Sequence, residues 1–501
     1  MNAANQQLTN GQPSRYLGAE PNKMYIDGQW VPSASGEVFA SINPATGEEI
    51  ASVPRGNAAD IDLAVAAARR ALNGPWKKKT PYERQEILLN LSRLVDEHFD
   101  ELCLLDSLDM GAPLSRLRAN SRKLALGRLR FYAGQATAIH GETIANSVGA
   151  HMSTYTLREP IGVVGAIIPW NAPMTSALWK IGPVLATGCT MVLKPAEQAP
   201  LSSLMLAELM EKAGVPPGVV NVVTGFGESA GAALAAHPGV DKIAFTGSHA
   251  VGQSIVRASA GNLKRVSLEL GGKSPDIVFA DADLDAAVAG AAMGVFGNTG
   301  QVCCAGTRLF VERRIYKEFV ARVAAFGDAL KVGNGQDPEV QIGPVVSAAQ
   351  LERVMRYIDI GTSEGATPIS GGHRITEGEL AKGYFIRPTV FDNVEDGMRI
   401  ASEEIFGPVV CAIPFDTIDE VETRANATPF GLGSGIWTRD INKVQRLTRS
   451  LHAGSVWVNC YNVMDPAVPF GGYGLSGYGR EGGTEHLNEY LQTKAVWIHG
   501  G

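Results

Sequence analysis

The stretch Gly300-Gln301-Val302-Cys303-Cys304-Ala305 sets a thiol in a tight Gly-containing turn, and Leu268-Glu269-Leu270-Gly271-Gly272-Lys273 lies upstream of it. A free thiol is largely protonated near neutrality and becomes a nucleophile in an electropositive or desolvated niche. A carboxylate on a Gly-flanked turn can swing between resting and reacting positions and activate a water. Together Cys303 and Glu269 read as covalent catalysis on a carbonyl. Each taken singly has a plainer reading. A buried Cys is usually inert filler, and Glu269 can pair with Lys264, Arg265 or Lys273. Cys304 is the rival nucleophile, and two adjacent residues cannot both face one substrate. Asn171, just past Pro169-Trp170, offers an amide that can stabilise an oxyanion together with the Cys303 backbone N–H. Alone, it would serve equally as a helix cap.

A second constellation suits a nucleotide. Lys242-Ile243-Ala244-Phe245-Thr246-Gly247-Ser248-His249 runs from a strand through Gly into a helix start. That turn presents unpaired N–H groups and the positive end of the helix dipole to an anion. Gly247 and Gly252 allow close backbone approach, and Ser248 can add a hydrogen bond. The spacing is not G-x-G-x-x-G, so the turn alone says little. Glu197, in Lys194-Pro195-Ala196-Glu197-Gln198, suits the hydroxyls of an adenosine ribose and would repel a 2′-phosphate, which favours NAD over NADP. Its plainer reading is a charge at the start of the next helix.

These residues need elements to hold them. The five strands expected at 162–168, 190–194, 219–224, 242–246 and 264–269 alternate with helices near 175–187, 201–213, 229–236 and 250–260. Such alternation predicts a parallel sheet covered on both faces. Upstream, Asp27-Gly28 between short apolar runs marks a hairpin over 24–31. Helical periodicity covers 58–72, 84–106 and 115–140. A second α/β block begins near 274, with strands at 276–278 and 309–311 and a helix over 316–330. One extended run, 493–499, closes the chain.

At 501 residues the chain has room for two or three domains, and 45% hydrophobic with 19% charged content is ordinary for a globular enzyme. A net charge of −7 argues against a nucleic-acid partner. Six Cys without metal-ligand spacing predict free thiols in a reducing compartment and no bound metal. Residues 1–23 are polar, with no apolar core of signal-peptide length, and the apolar run 161–170 is too short to cross a bilayer. The expectation is a cytoplasmic protein with a disordered tail over 1–23 and no membrane partner.

Seven motifs in order carry a resemblance. They are Pro169-Trp170-Asn171, Lys194-Pro195-Ala196-Glu197, Phe245-Thr246-Gly247-Ser248, Leu268 through Lys273, Gly300-Gln301-x-Cys303, Glu403-Glu404-Ile405-Phe406-Gly407-Pro408 and Pro469-Phe470-Gly471-Gly472. From about residue 24 onward the chain closely resembles the NAD(P)-dependent aldehyde dehydrogenases of the hydrolytic, non-acylating type. The resemblance implies an α/β fold with a Rossmann-like cofactor domain (24–135 and 156–270), an α/β catalytic domain (271–484) and a small β oligomerisation or bridging element (136–155 and 485–501). It implies that Cys303 attacks the aldehyde, that Asn171 and the Cys303 N–H hold the oxyanion, and that Glu269 activates water on the thioester. Lys180 and Glu481 would relay the proton. Lys194 and Glu197 would hold the adenosine ribose, Ser248 the pyrophosphate, and Glu404 with Phe406 the nicotinamide riboside. Ile168, Pro169, Trp170, Ala196, Gly227, Phe245, Gly247, Val251 and Leu270 would complete the NAD site. The substrate pocket would be Met174, Trp179, Val302, Cys304, Met464 and Phe470, which suits a hydrophobic or aromatic aldehyde. None is an Arg that would anchor a substrate carboxylate. A homotetramer or homodimer is implied. Gln492 departs from the Glu of some tetrameric members, so Arg265 and Arg480 should be held differently. The alternatives are a relative that passes the acyl group to coenzyme A, which typically lacks a carboxylate at the Glu269 position, and a non-catalytic structural relative.

Overall fold

Between residues 163 and 269 short, largely β-branched runs are buried on both faces, as parallel strands covered by helices must be. The computed structural model describes residues 14–500, and these runs form the centre of an eight-stranded sheet. Its order is Gly477–Tyr478, Arg265–Glu269, Lys242–Thr246, Val163–Ile167, Thr190–Lys194, Val220–Val222, Met24–Ile26, Gln29–Val31. The five strands from Arg265–Glu269 to Val220–Val222 pair in parallel. The winding reverses between Val163–Ile167 and Lys242–Thr246, and a doubly wound sheet binds ligands at the carboxyl ends beside such a switch. Asn171 and Gly247 both follow those ends. The hairpin forms as expected, with Asp27 at φ 54° and Gly28 at φ 76° in its turn.

A second, seven-stranded sheet runs Thr367–Ser370, Thr389–Asp392, Val409–Phe415, Arg308–Glu312, Pro275–Val278, Gly433–Trp437, Ser455–Val458. Only its edge strand Thr367–Ser370 is antiparallel. Apolar cores lie against it: one includes Ile277, Phe310 and Ile413, and the other includes Val278, Leu309 and Val311, the alternate residues of the same strands. Leu491–His499 pairs antiparallel with Met152–Pro160 along its whole length. No described helix is long and apolar enough to cross a membrane.

Several expectations need correction. Residues 1–13 of the expected disordered tail lie outside the described residues, but 14–23 are structured. Gly18–Pro21 pairs in parallel with Glu49–Pro54, and the buried Tyr16 donates its hydroxyl to Glu208 Oε2 at 2.6 Å. The periodicity over 84–106 belongs to two helices, Pro81–Glu97 and Phe99–Met110, which meet at His98. The helix expected over 115–140 stops at Ala136. The boundaries at 155 and 270 are crossed. The ribbon strand continues to Pro160, and Gly477–Tyr478 returns to the first sheet with Gly477 opposite Glu269.

Candidate active site

The turn that carries the thiol is built by unusual backbone. Asn298, Thr299 and Gly300 have φ of 55°, 57° and 70°, three successive left-handed residues. Non-Gly residues there are strained unless surroundings hold them. Asn298 Nδ2 donates to Asn171 O at 3.0 Å and Gln301 O at 3.2 Å, and Arg116 donates to Asn298 Oδ1 at 2.7 Å. Gly300 admits no side chain, because a Cβ would lie 1.9 Å from Gly407 O. Gln301 ties the turn down: its Nε2 donates to Asn298 O at 3.2 Å and its Oε1 accepts from Val346 N at 2.9 Å. Sequence reasoning missed Asn298. The turn-rich run Gly297-Asn298-Thr299-Gly300 was the available signal.

The result leaves Cys303 half-buried and Cys304 fully buried. Cys304 Sγ donates to Asn462 Oδ1 at 3.3 Å, and its carbonyl accepts from Tyr461 OH at 2.8 Å. Of the two thiols, Cys303 is the one that reaches solvent. A hydrogen bond with Cys304, burial and the Glu404 charge push the Cys303 thiol up. Asn171 Nδ2 donates to Gln301 O at 2.9 Å, which leaves its second N–H for a ligand. Among the described residues the Cys303 backbone N–H makes no hydrogen bond.

Glu269 ends the strand Arg265–Glu269 and is 5% exposed. Neither carboxylate oxygen has a hydrogen-bond partner, and none of the expected ion pairs with Lys264, Arg265 or Lys273 forms. Burial holds its pKa well above the usual carboxylate range, with Lys180 opposing that shift and Cys303 adding to it. Gly471 makes room for the carboxylate, because a Cβ there would lie 2.8 Å from Glu269 Oε1. Lys180, on the helix Pro173–Thr187, is ion-paired with Glu481 in the interior. Burial brings the Lys180 ammonium down to about 7, with the Glu269 charge opposing. Glu481 exchanges backbone hydrogen bonds with Phe470 at 2.7 and 2.6 Å, so the same bridge fixes a pocket wall and the Lys180 partner.

The expected cofactor residues converge on the switch point. Lys194, 2% exposed, donates to Glu197 Oε2 at 3.1 Å. Burial lowers its pKa, with Glu197 opposing. Ser248 caps the helix His249–Ser259, but over a long 3.4 Å to Val251 N, so its hydroxyl remains weakly engaged. Val251 is exposed, and a Cβ on Gly227 would meet nothing within 4 Å. Phe245, Ala196 and Ile168 are buried, and Ile168 N donates to Lys194 O at 3.2 Å. Gly247 sits on the Phe245 ring, and Leu270 lies against Gly252. Trp170 and Phe406 meet edge to face with centroids 5.3 Å apart, and Pro169 precedes them at the strand end. Phe406 is itself left-handed, at φ 63°, and is held by Gln350 Nε2 donating to its carbonyl at 2.8 Å. Glu404 accepts from Gly272 N at 3.2 Å, and burial raises its carboxyl to about 7.

Cys304 and Phe470 form a buried cluster with Leu432 and Trp457, against which Trp179, Val302, Met464 and Cys303 pack. Trp179 stacks on Phe470 at 6.0 Å. Met174 is the exception among the six expected pocket residues. It is fully buried in the core of the first sheet's layer and lies outside this cluster. Arg265 donates to the Leu491 carbonyl and Arg480 to those of Gly472 and Gly479.

Residues 30–496 match the pattern described as the Aldehyde dehydrogenase family. The chain is 48% identical over 482 residues to the mitochondrial benzaldehyde dehydrogenase of Antirrhinum majus, covering 96% of this chain and 89% of that one. It is 46% identical over 480 residues to human mitochondrial aldehyde dehydrogenase, covering 95% and 92%. A solved NAD+ complex of aldehyde dehydrogenase from Bacillus cereus superposes with a TM-score of 0.93 at 47% identity, covering 96% of this chain and 97% of that one. Motif order, geometry and matches spanning nearly every residue agree: the chain belongs to the aldehyde dehydrogenase family.

Proposed function

We propose that this enzyme oxidises a hydrophobic or aromatic aldehyde to its carboxylic acid with NAD, through a thiohemiacetal and then a thioester on Cys303. The observation that carries the reading is the buried Glu269 carboxylate, free of every protein partner and close enough to Cys303 for their charges to couple. The residues fit a dinucleotide. Glu404 keeps acceptor capacity for a ribose diol, and the 11-residue helix start at Ser248 presents N–H groups suited to a pyrophosphate. Lys194 and Glu197 would hold the adenosine ribose, and the backbone at Gly227 has open space beside it. When bound, NAD supplies the hydride acceptor.

The chain's own residues do the rest. Cys303 Sγ, once its proton has passed to solvent, adds to the carbonyl carbon, and the free N–H of Asn171 with the Cys303 amide holds the resulting oxyanion. After oxidation Glu269 takes a proton from water, which attacks the thioester. Lys180, whose charge couples to that of Glu269, and its ion-pair partner Glu481 would relay that proton inward. The carboxylate at Glu269 favours hydrolysis over transfer to coenzyme A. The aromatic pocket cluster supports the substrate class, as does likeness to a benzaldehyde dehydrogenase. Residues 24–135 and 156–270 would serve as the cofactor domain and 271–484 as the catalytic domain, with 136–155 and 485–501, which include most of the terminal ribbon, serving assembly into a homodimer or homotetramer. Six free cysteines support a reducing compartment, here the cytoplasm.

The test uses Glu269→Gln. With aldehyde and NAD, this variant should release a first equivalent of NADH and then stall, with the acyl mass found on Cys303. Continued turnover at the native rate, or an adduct on Cys304, would contradict the assignment.

A further inference from the structure

Arg128, on the helix Leu114–Ala136, is 2% exposed and has no carboxylate partner among the described residues. Buried guanidinium groups are normally paired, because an unpaired buried charge is strongly disfavoured. Its one hydrogen bond runs from Nη1 to Thr175 O at 2.6 Å, one helical turn before Trp179, and its Nε is left without any partner. Its carbon Cζ lies 3.6 Å from the centre of the Trp179 ring. Trp179 in turn stacks on Phe470 and packs into the cluster that contains Cys303. A cation therefore stands at one ring of the stack that walls the nucleophile. Burial lowers its pKa to about 9, so it stays charged at neutral pH.

We infer that Arg128 is a specificity-determining residue that makes the aldehyde pocket electropositive from behind Trp179, selecting substrates whose far end is anionic or hydrogen-bond accepting over those carrying a cation. The inference rests on the pocket assignment above and deepens it. An aromatic wall of Trp179, Phe470 and Trp457 would by itself attract a quaternary ammonium, since ring faces carry negative potential. Arg128 already draws on the Trp179 ring, and in a low-dielectric wall its charge reaches across the side chain with little screening. A substrate cation meets repulsion there, whereas a carboxylate or phenolate meets attraction. Arg128 acts through Trp179 and the field rather than by touching the reacting atoms.

The experiment compares three aldehydes of one shape: 4-formylbenzoate, 4-isopropylbenzaldehyde and 4-(trimethylammonio)benzaldehyde. kcat/KM is measured with NAD for the native enzyme, Arg128→Lys and Arg128→Met. The native enzyme should favour the anion over the cation, and Arg128→Met should shrink that ratio about tenfold, a change typical of one poorly screened charge. Arg128→Lys should keep most of it. A lost stack without a charge effect would lower all three rates together and leave the ratio alone, which overturns the inference. A native preference for the cation overturns it without any variant. Should the variants fail to fold, protection of native Cys303 from alkylation by benzoate against phenyltrimethylammonium decides the same point, benzoate protecting at the lower concentration if the inference holds. Oxidation of the neutral aldehyde reports separately on the aromatic-pocket reading, so the two fail independently.

Discussion

Glu269 combines two properties that seldom coexist in a folded protein, complete burial and no hydrogen bond. A general base works only when deprotonated, and burial holds Glu269 well above the usual carboxylate range. The hydrolytic step should therefore speed up as pH rises through that raised value. A single-turnover measurement of acid release from the acylated enzyme checks this, with Glu269→Gln expected to be both slow and pH-flat. At the cofactor end, Glu197 is partly exposed and only loosely engaged by Lys194. Its charge should favour NAD over NADP in kcat/KM, with the difference reduced in Glu197→Gln. Equal efficiency with both cofactors in the native enzyme would show that the carboxylate rotates aside. These candidate residues were legible in the sequence because their motifs are contiguous. The seats of the residues were not. Gly471 beside Glu269, Asn298 beneath Asn171 and Arg128 behind Trp179 come from segments that only the fold brings together.

Helices here borrow their caps from one another. Pro173–Thr187, which carries Trp179 and Lys180, has no side-chain cap of its own. Asp106 from the helix Phe99–Met110 accepts from Met174 N at 3.3 Å instead. One turn on, Asp109 accepts from Leu201 N at 2.9 Å and from Ser41 Oγ at 2.5 Å, at the start of the helix Leu201–Lys212. Burial raises Asp106 to about 7 and Asp109 to about 8. With the folded value above the ordinary 3.8, the native state keeps a proton that the unfolded chain gives up. Stability from this source falls as pH climbs from about 4 to about 8 and is level above that. Thermal melts of Asp109→Asn against the native protein should favour the variant increasingly across that window. Asp109→Ala, which orphans a helix N–H, should instead lose about 1–3 kcal/mol near pH 4, with the deficit shrinking as the native protein loses stability toward pH 8. Strand-helix alternation made the parallel sheet readable from sequence, since short apolar-rich runs recur between helical segments. The break at His98 was not readable, because apolar spacing runs through it. The order at Gly18–Pro21 was hidden for another reason: its pairing comes from a partner strand, not from its own polar residues.

At the scale of the molecule, the ribbon of Met152–Pro160 and Leu491–His499 exposes Leu157, Trp497 and Ile498. A two-stranded ribbon is marginal alone, and exposed apolar side chains on it mark an association surface. Removing 491–501 should lower the native mass seen by light scattering to that of a smaller assembly. An unchanged mass would place the subunit contact elsewhere. The resemblance to a family implied an oligomerisation element in this part of the chain, whereas composition and periodicity showed only a terminal extended run. The short strand Gly477–Tyr478 has a different consequence. It lays the last tenth of the chain against the strand that ends in Glu269, and the neighbouring loop shapes the hollow where that carboxylate rests. The hollow around Glu269 is therefore finished by residues that come far later in the sequence than the carboxylate itself. A substitution that pushes on this loop, such as Gly471→Ala, should disturb Glu269 before it disturbs Cys303, slowing acid release more than acyl-enzyme formation.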